Sequence, residues 1–195
     1  MSKDRWRDHY SDRAKRSGYL ARSVFKLEEA DRRFSLVSEG TRVLDLGCAP
    51  GSWMQYLSRR VGKHGLVVGV DLNEPGFFAS NTKAITKDVF ELDPAELAQF
   101  GPFDLVVSDM APATTGISDV DAARSLKLAD RAAEIACSVL KEGGSLFVKI
   151  FEGPETRRLR NRLKDSFASV RAFKPKASRK ASREYYLVCL GFKGK

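Results

Sequence analysis

Seven short runs of apolar and β-branched residues recur along the chain, and most of the intervals between them read as helices. The runs are RVLDLG (42–47), LVVGVDL (66–72), a weaker AITKDVF (84–90), FDLVVSDM (103–110), SLFVKIF (145–151), VRAFK (170–174) and YYLVCLGF (185–192). Several are apolar without alternation, as expected of strands covered on both faces. SWMQYLSRRVG follows the first run, and AARSLKLADRAAEIACSVLKEGG, whose closing glycines suit a helix stop, precedes the fifth. Strands alternating with helices predict an α/β fold, a mostly parallel sheet with helices on both faces. The last two runs are joined by PKASRKASRE, polar and without helical pattern, which allows an antiparallel return at the end of the sheet.

The length, 195 residues, and a hydrophobic content of 43% suit one domain with a single core. Within it, residues 1–34 read as a basic N-terminal extension carrying the amphipathic stretch ARSVFKLEEADRRF, and residues 35–195 as the alternating α/β core. The N-terminus is charged from its third residue, and no run approaches the roughly 20 apolar residues of a membrane span. A cytoplasmic protein with no membrane contact is expected. Cys48, Cys137 and Cys189 are scattered and the only histidines are His9 and His64, so buried free thiols are expected, with no disulfide framework and no metal site. A monomer is expected, since no long amphipathic seam is left over.

The net charge of +9 is unevenly distributed. Residues 157–183 carry eleven Lys/Arg against the single Asp165, and residues 1–33 carry ten against six acids, whereas residues 34–156 are acidic, with eleven against seventeen. Basic ends around an acidic centre favour a polyanion at the ends, because cationic clusters gain affinity by releasing counterions from phosphates. A solvated basic face is the alternative for any one such run.

Ligands of open α/β sheets bind beyond the carboxyl ends of the strands, so the first strand-to-helix turn, DLGCAPGSW (45–53), is the place to expect one. Gly47 and Gly51 permit a tight turn and close backbone approach. The turn departs from the dinucleotide fingerprint: Ala49 takes the second glycine's place, Gly51 comes one residue early and Pro50 removes a donor. Asp45 would repel a pyrophosphate but suits the ammonium of S-adenosylmethionine, which carries no phosphate. Further acids close the next strands: Asp71 where a ribose diol would be gripped, Asp88 within reach of an adenine amino group, and Asp109. Each alone is as readily an N-cap or turn residue; four together with the glycine turn point to the cofactor. A nicotinamide-dependent oxidoreductase is the competing reading, and Asp45 argues against it.

Lys149 sits within SLFVKIF, where burial of an ammonium is costly unless it is paired or gives up its proton. Its strand delivers it to the same edge as Asp109. RSVFKLEE around Lys26, DLGCAPGSW, GVDL, KDVF, SDMAP around Asp109, FVKIFEG around Lys149 and SREYYLV around Glu184 together resemble the RrmJ/FtsJ (RlmE) family of ribosomal RNA 2′-O-ribose methyltransferases, over nearly the whole chain. Cys48 and Ser52 depart from smaller residues in the family's turn.

The resemblance implies a Rossmann-like methyltransferase fold with a seven-stranded sheet whose last strand is antiparallel, a core over residues 35–195, S-adenosyl-L-methionine as cofactor, and a uridine ribose of large-subunit ribosomal RNA as substrate. Target choice is expected to depend on RNA shape, within the assembled ribosomal subunit. It maps the family's Lys-Asp-Lys-Glu tetrad onto Lys26, Asp109, Lys149 and Glu184. Cofactor contacts fall on Gly51, Trp53, Asp71, Asp88 and Asp109, together with Asp45, Gly47, Ala49 and Pro50 of the turn. In that scheme Lys149 accepts the hydroxyl proton or orients the hydroxyl, Asp109 positions it, and Lys26 with Glu184 completes the network around the ribose. SDMAP is not the Asn-Pro-Pro-aromatic turn of exocyclic-amine methylation, and Cys137 lies in a predicted helix rather than as a nucleophile. Trp6, Tyr10 and Tyr19 are candidates for base stacking or for core packing. A non-catalytic RNA-binding protein on the same fold is the remaining alternative.

Overall fold

The computed structural model describes residues 3–179 and 182–194, with side chains from His9 onward; the Trp6 side chain and Lys180 lie outside the described residues. In chain order the elements are α1 (Lys3–Arg16), α2 (Val24–Phe34), β1 (Arg42–Leu46), α3 (Ser52–Val61), β2 (Leu66–Asp71), β3 (Thr82–Thr86), a 3-10 turn (Pro94–Leu97), β4 (Phe103–Ser108), α4 (Ser118–Val139), β5 (Leu140–Phe151), α5 (Thr156–Ser166), β6 (Phe167–Phe173) and β7 (Glu184–Phe192).

The seven strands form one sheet in the order β3-β2-β1-β4-β5-β7-β6. Strands β1 to β5 pair in parallel, and β7 inserts antiparallel between β5 and β6. Side chains alternate across each strand, so Val43 and Phe147 pack on one face with α2 and α3, while Leu44, Leu146 and Val148 pack on the other with α4 and α5. With both faces filled, β1 and β4 show no polar alternation, which is why their sequences read as continuous apolar runs.

Two boundaries differ from the sequence expectation. The third strand ends at Thr86 rather than running through KDVF, because the Asp88 carboxylate accepts the Phe90 N–H and its carbonyl accepts the Leu92 N–H, closing a turn. The helix expected to end at the glycines of KEGG ends at Val139. Leu140 is already extended and pairs with Phe103, and the ladder resumes at Ser145 after an irregularity that contains Gly143 at φ +79°. Burial of Leu140 beside Phe103 draws the chain into the sheet before the glycines are reached.

The first turn of α3 holds the connector between α1 and α2. Gln55 accepts the Leu20 N–H at 2.9 Å and donates to the Gly18 carbonyl at 3.1 Å, and Trp53 Nε1 donates to the Ser23 carbonyl at 2.9 Å. These bonds fix where α2 begins, and so fix the direction from which Lys26 approaches the sheet. No helix among the described residues is long and apolar enough to cross a membrane.

Candidate active site

The turn after β1 is built by its glycines. Gly47 has φ +81°, and a Cβ there would lie 2.6 Å from Met110 Cγ; Gly51 caps α3 at φ +111°, and its Cβ would lie 3.1 Å from Phe77 Cβ. Both positions combine a left-handed backbone with close approach, which only glycine meets without strain. The turn opens on a cavity of about 620 Å³ lined by Gly47, Ala49, Asp71, Asp88, Val89 and Asp109 among others. Asp71 ties two strand ends together, accepting the Ala49 N–H at 3.0 Å and the Asn73 N–H at 2.9 Å.

Four residues expected at the cofactor do not line this cavity: Asp45, Pro50, Gly51 and Trp53. Pro50 instead accepts the Gly76 N–H through its carbonyl, and Gly51 serves as the helix cap. The Trp53 indole is buried against Phe147 at 5.8 Å, and its only N–H is spent on Ser23, so that side chain is structural. Asp45 is fully buried beneath the turn, and neither carboxylate oxygen has a hydrogen-bond partner. Burial pushes its carboxyl well above the usual range, reinforced by the charges of Asp109 and Asp71.

Lys26, Asp109, Lys149 and Glu184 converge from α2, the end of β4, β5 and the start of β7. Asp109 is the hub. Its Oδ1 lies 3.0 Å from Lys149 Nζ and 3.8 Å from Lys26 Nζ, and Lys26 Nζ reaches Glu184 Oε1 at 2.7 Å. Lys149 Nζ also donates to the main-chain carbonyl of Asp109. Lys149 is only 6% exposed, so two lysines and two carboxylates balance one another away from bulk solvent. Burial alone would raise the Asp109 carboxyl, but Lys149 and Lys26 outweigh it and hold the group below the usual carboxylate range.

One member of the cluster escaped the sequence reading. The Tyr186 hydroxyl donates to Asp109 Oδ1 at 2.5 Å, and its ring stacks on Phe147 at 4.5 Å. The signal available was its place two residues after Glu184, on the same face of β7. Burial, and the neighbouring charges of Asp109 and Glu184, push its phenol well above the usual range.

On the far side of the tetrad lies a second cavity, of about 520 Å³, lined by Arg22, Lys26, Thr114, Phe151, Arg179 and Glu184 among others. Tyr10 and Tyr19 do not line it. The Tyr10 ring packs 5.6 Å from that of Phe25, and Tyr19 packs on Phe25 at 6.2 Å with the Arg59 guanidinium over it. Of the basic stretches, α5 buries Leu159 and Leu163 and exposes Arg157, Arg158, Arg160 and Lys164.

Helix α4 braces the walls of the larger cavity. Asp121 accepts from the Thr115 N–H and hydroxyl and from the Gly116 N–H, holding the loop after β4. Arg131 donates to the carbonyls of Val89 at 2.8 Å and Leu92 at 2.6 Å, holding the turn that follows β3. Cys48 and Cys189 are buried and Cys137 is half-buried, and none of the three is in a disulfide. Among the described residues no group of three or more His, Cys, Asp or Glu side chains could hold a metal ion.

The FtsJ-like methyltransferase family model matches residues 19–192. A ribosomal RNA large subunit methyltransferase E of Desulforapulum autotrophicum is 44% identical over 193 residues, which is 98% of this chain and 95% of the relative. Its namesake from Desulfatibacillum aliphaticivorans is 47% identical over 196 residues, covering 98% and 94%. Among solved structures, a Plasmodium falciparum protein described as a ribosomal RNA methyltransferase superposes with a TM-score of 0.80 at 28% identity, covering 91% of this chain and all of that one.

Proposed function

We propose that this chain, which belongs to the FtsJ-like methyltransferase family and is an RNA methyltransferase, uses S-adenosylmethionine to methylate the ribose 2′-oxygen of a uridine in large-subunit ribosomal RNA. The observation that carries the reading is the Asp109-centred tetrad standing between two cavities, one walled by the glycine turn and acidic strand ends, the other by cations.

The residues of the larger cavity fit the cofactor. Asp71 and Asp88 offer acceptors for a ribose diol and an adenine amino group, and the glycine turn leaves no Cβ in the way. Asp45, buried and without a partner, gains one if an ammonium group or a bridging water donates to it, since a buried unpaired polar group costs about 1–3 kcal/mol. Trp53 would contribute only its main-chain N–H, an orphan donor of the first turn of α3.

S-adenosylmethionine, when bound, supplies a methyl group already activated by its sulfonium. The chain's own work is to hold and deprotonate the hydroxyl. Two acceptors of Asp109, Oδ1 and the main-chain carbonyl, engage Nζ of Lys149. Once the ammonium of Lys149 has released a proton to solvent, the amine has two N–H groups and one lone pair, so with both N–H groups spent on Asp109 the lone pair is left for the 2′-hydroxyl proton. The ribose oxygen gains the bond to carbon while that proton passes to Lys149. Lys26, paired with Glu184, faces the second cavity as a fixed cation beside the ribose. Alignment of oxygen with methyl carbon supplies much of the acceleration.

The reading places the protein with ribosomes in the cytoplasm, acting as a monomer on large-subunit RNA. Incubation with radiolabelled S-adenosylmethionine and large subunits from cells lacking the protein tests it. Label recovered as 2′-O-methyluridine after nuclease digestion supports the reading. Label on a base, or none in RNA, overturns it.

A further inference from the structure

We infer that the second cavity is a subsite for one extruded nucleotide, with its base stacked on Phe151 and a flanking phosphate held by Arg22 and Arg179; this rests on the ribose-methylation reading above. Four observations lead there. The first is depth. Lys149, at 6% exposure, lies below the surface, whereas a base-paired RNA helix presents its 2′-hydroxyls on a wide, shallow groove. A ribose reaches a buried amine only when its nucleotide leaves the stack, which enzymes acting on single nucleotides accomplish by extruding them.

The second is the placement of Phe151. It stands two residues beyond Lys149 on β5, so both side chains project from the same face of the strand, about 6.6 Å apart along it. A ribose at Lys149 therefore brings its base towards the Phe151 ring. That ring is half-buried and is the one aromatic side chain among the described residues lining the cavity. Its main chain is fixed, because the Phe151 N–H donates to Ser125 Oγ at 3.0 Å.

The third is the charge of the rim. Arg22, Lys26 and Arg179 line the cavity against the single carboxylate of Glu184, which Lys26 already pairs. The excess is cationic and sits where a phosphodiester would flank the ribose. Arg22 is held in place, donating to the Ala177 carbonyl at 2.9 Å with its guanidinium 5.6 Å from the Tyr10 ring. The fourth is that Tyr10 and Tyr19 are engaged in packing against Phe25, which leaves Phe151 as the stacking candidate among the side chains described at this cavity.

The test uses the full chain with large subunits from cells lacking the protein. Phe151→Ala and Phe151→Leu are expected to lower kcat/KM for the subunit by about ten-fold to a hundred-fold, and Phe151→Tyr to stay within about two-fold of the wild type, as loss of one base–aromatic stack predicts. Leu preserves apolar bulk without a π face, so it separates stacking from packing. S-adenosylmethionine affinity, unchanged in all three, reports that each variant is folded. Arg179→Ala is expected to raise KM and to flatten its dependence on salt. A Leu variant as active as the wild type, a Tyr variant as impaired as Ala, or an Arg179→Ala variant with unaltered KM overturns the subsite while leaving ribose methylation intact. A wild-type protein that yields no 2′-O-methyluridine overturns the underlying reading instead.

Discussion

The hydroxyl of Tyr186 donates to Asp109 Oδ1 at 2.5 Å, the same oxygen that lies 3.0 Å from Nζ of Lys149. One carboxylate oxygen thus organises a phenol and two lysines. The bond favours the charged form of Asp109, whose carboxyl already lies below the usual range because of Lys149 and Lys26. Tyr186→Phe removes that donor and nothing from the ring stack on Phe147. Asp109 then keeps its proton to higher pH, so the acid limb of the pH–rate profile moves upward. Turnover at neutral pH falls by about ten-fold, the value of one hydrogen bond to a charged group. An acid limb that stays in place in the variant would contradict this assignment.

Lys149→Met retains most of the apolar stem and removes the amine. Because Lys149 does not line the larger cavity, cofactor affinity is expected to stay within about two-fold, while methyl transfer falls by about 10²-fold to 10⁴-fold, the span of a lost general base. Calorimetric titration with S-adenosylmethionine, paired with single-turnover transfer to large subunits, measures both. Loss of cofactor binding to the same degree would make Lys149 a cofactor ligand instead.

The Lys26–Glu184 pair is sheltered, each side chain 13% exposed, with 2.7 Å between its charged atoms. Screening is weak at such a site, and removing one partner strands the other's charge. Lys26→Met and Glu184→Gln are each expected to reduce kcat/KM, and the double variant to lose less than their sum. The expected coupling is on the order of 1–3 kcal/mol. A coupling near zero would mean that the two side chains act on the ribose independently.

The degree to which the site was legible in the sequence follows from what each residue depends on. Lys149 and Asp109 sit near the carboxyl ends of strands that β-pattern locates, and such ends share one edge of a parallel sheet; Glu184, which opens the antiparallel β7, is legible only through the family resemblance of SREYYLV. Lys26 lies on a helix outside the alternating unit, and its approach depends on Gln55 and Trp53 gripping residues 18–23, contacts between distant segments that no local pattern encodes. Trp53 shows the converse: its place in the glycine turn suggests a cofactor contact, yet packing on Phe147 and Tyr186 decides where the indole goes. Phe151 reads as one more apolar strand residue. Only the geometry of β5 beside the second cavity separates it from its buried neighbours.

Asp45 links stability to the cofactor. Its folded carboxyl lies well above the unfolded value of about 3.9, so the folded state holds the proton more tightly. Stability conferred by that proton is complete below pH 3.9 and is lost progressively as pH rises towards the folded value. Asp45→Asn cannot ionise. Without cofactor, the Tm of the variant is therefore expected to gain on that of the wild type as pH rises from 4 to 8. Affinity for S-adenosylmethionine is expected to drop about ten-fold if the carboxyl receives the ammonium group. Melting curves across that pH range, with and without cofactor, check both. A stability gap independent of pH would show that Asp45 does not titrate there.

Arg131 gives a prediction that separates the two cavities. Its guanidinium, bonded to the carbonyls of Val89 and Leu92, fixes the turn that carries Asp88 and Val89 into the wall of the larger cavity, and it lines neither cavity itself. Arg131→Ala leaves two carbonyls without that donor and frees the turn, so the cost falls on cofactor binding. KM for S-adenosylmethionine is expected to rise about ten-fold, the value of one or two charge-assisted bonds, with KM for the large subunit and the pH profile unchanged. Arg131→Lys can reach one carbonyl but not both, having no planar fork, and should fall between the two. Steady-state kinetics with each substrate varied in turn distinguishes the outcomes. An equal rise in both KM values would mean that α4 braces the whole site rather than one wall of it.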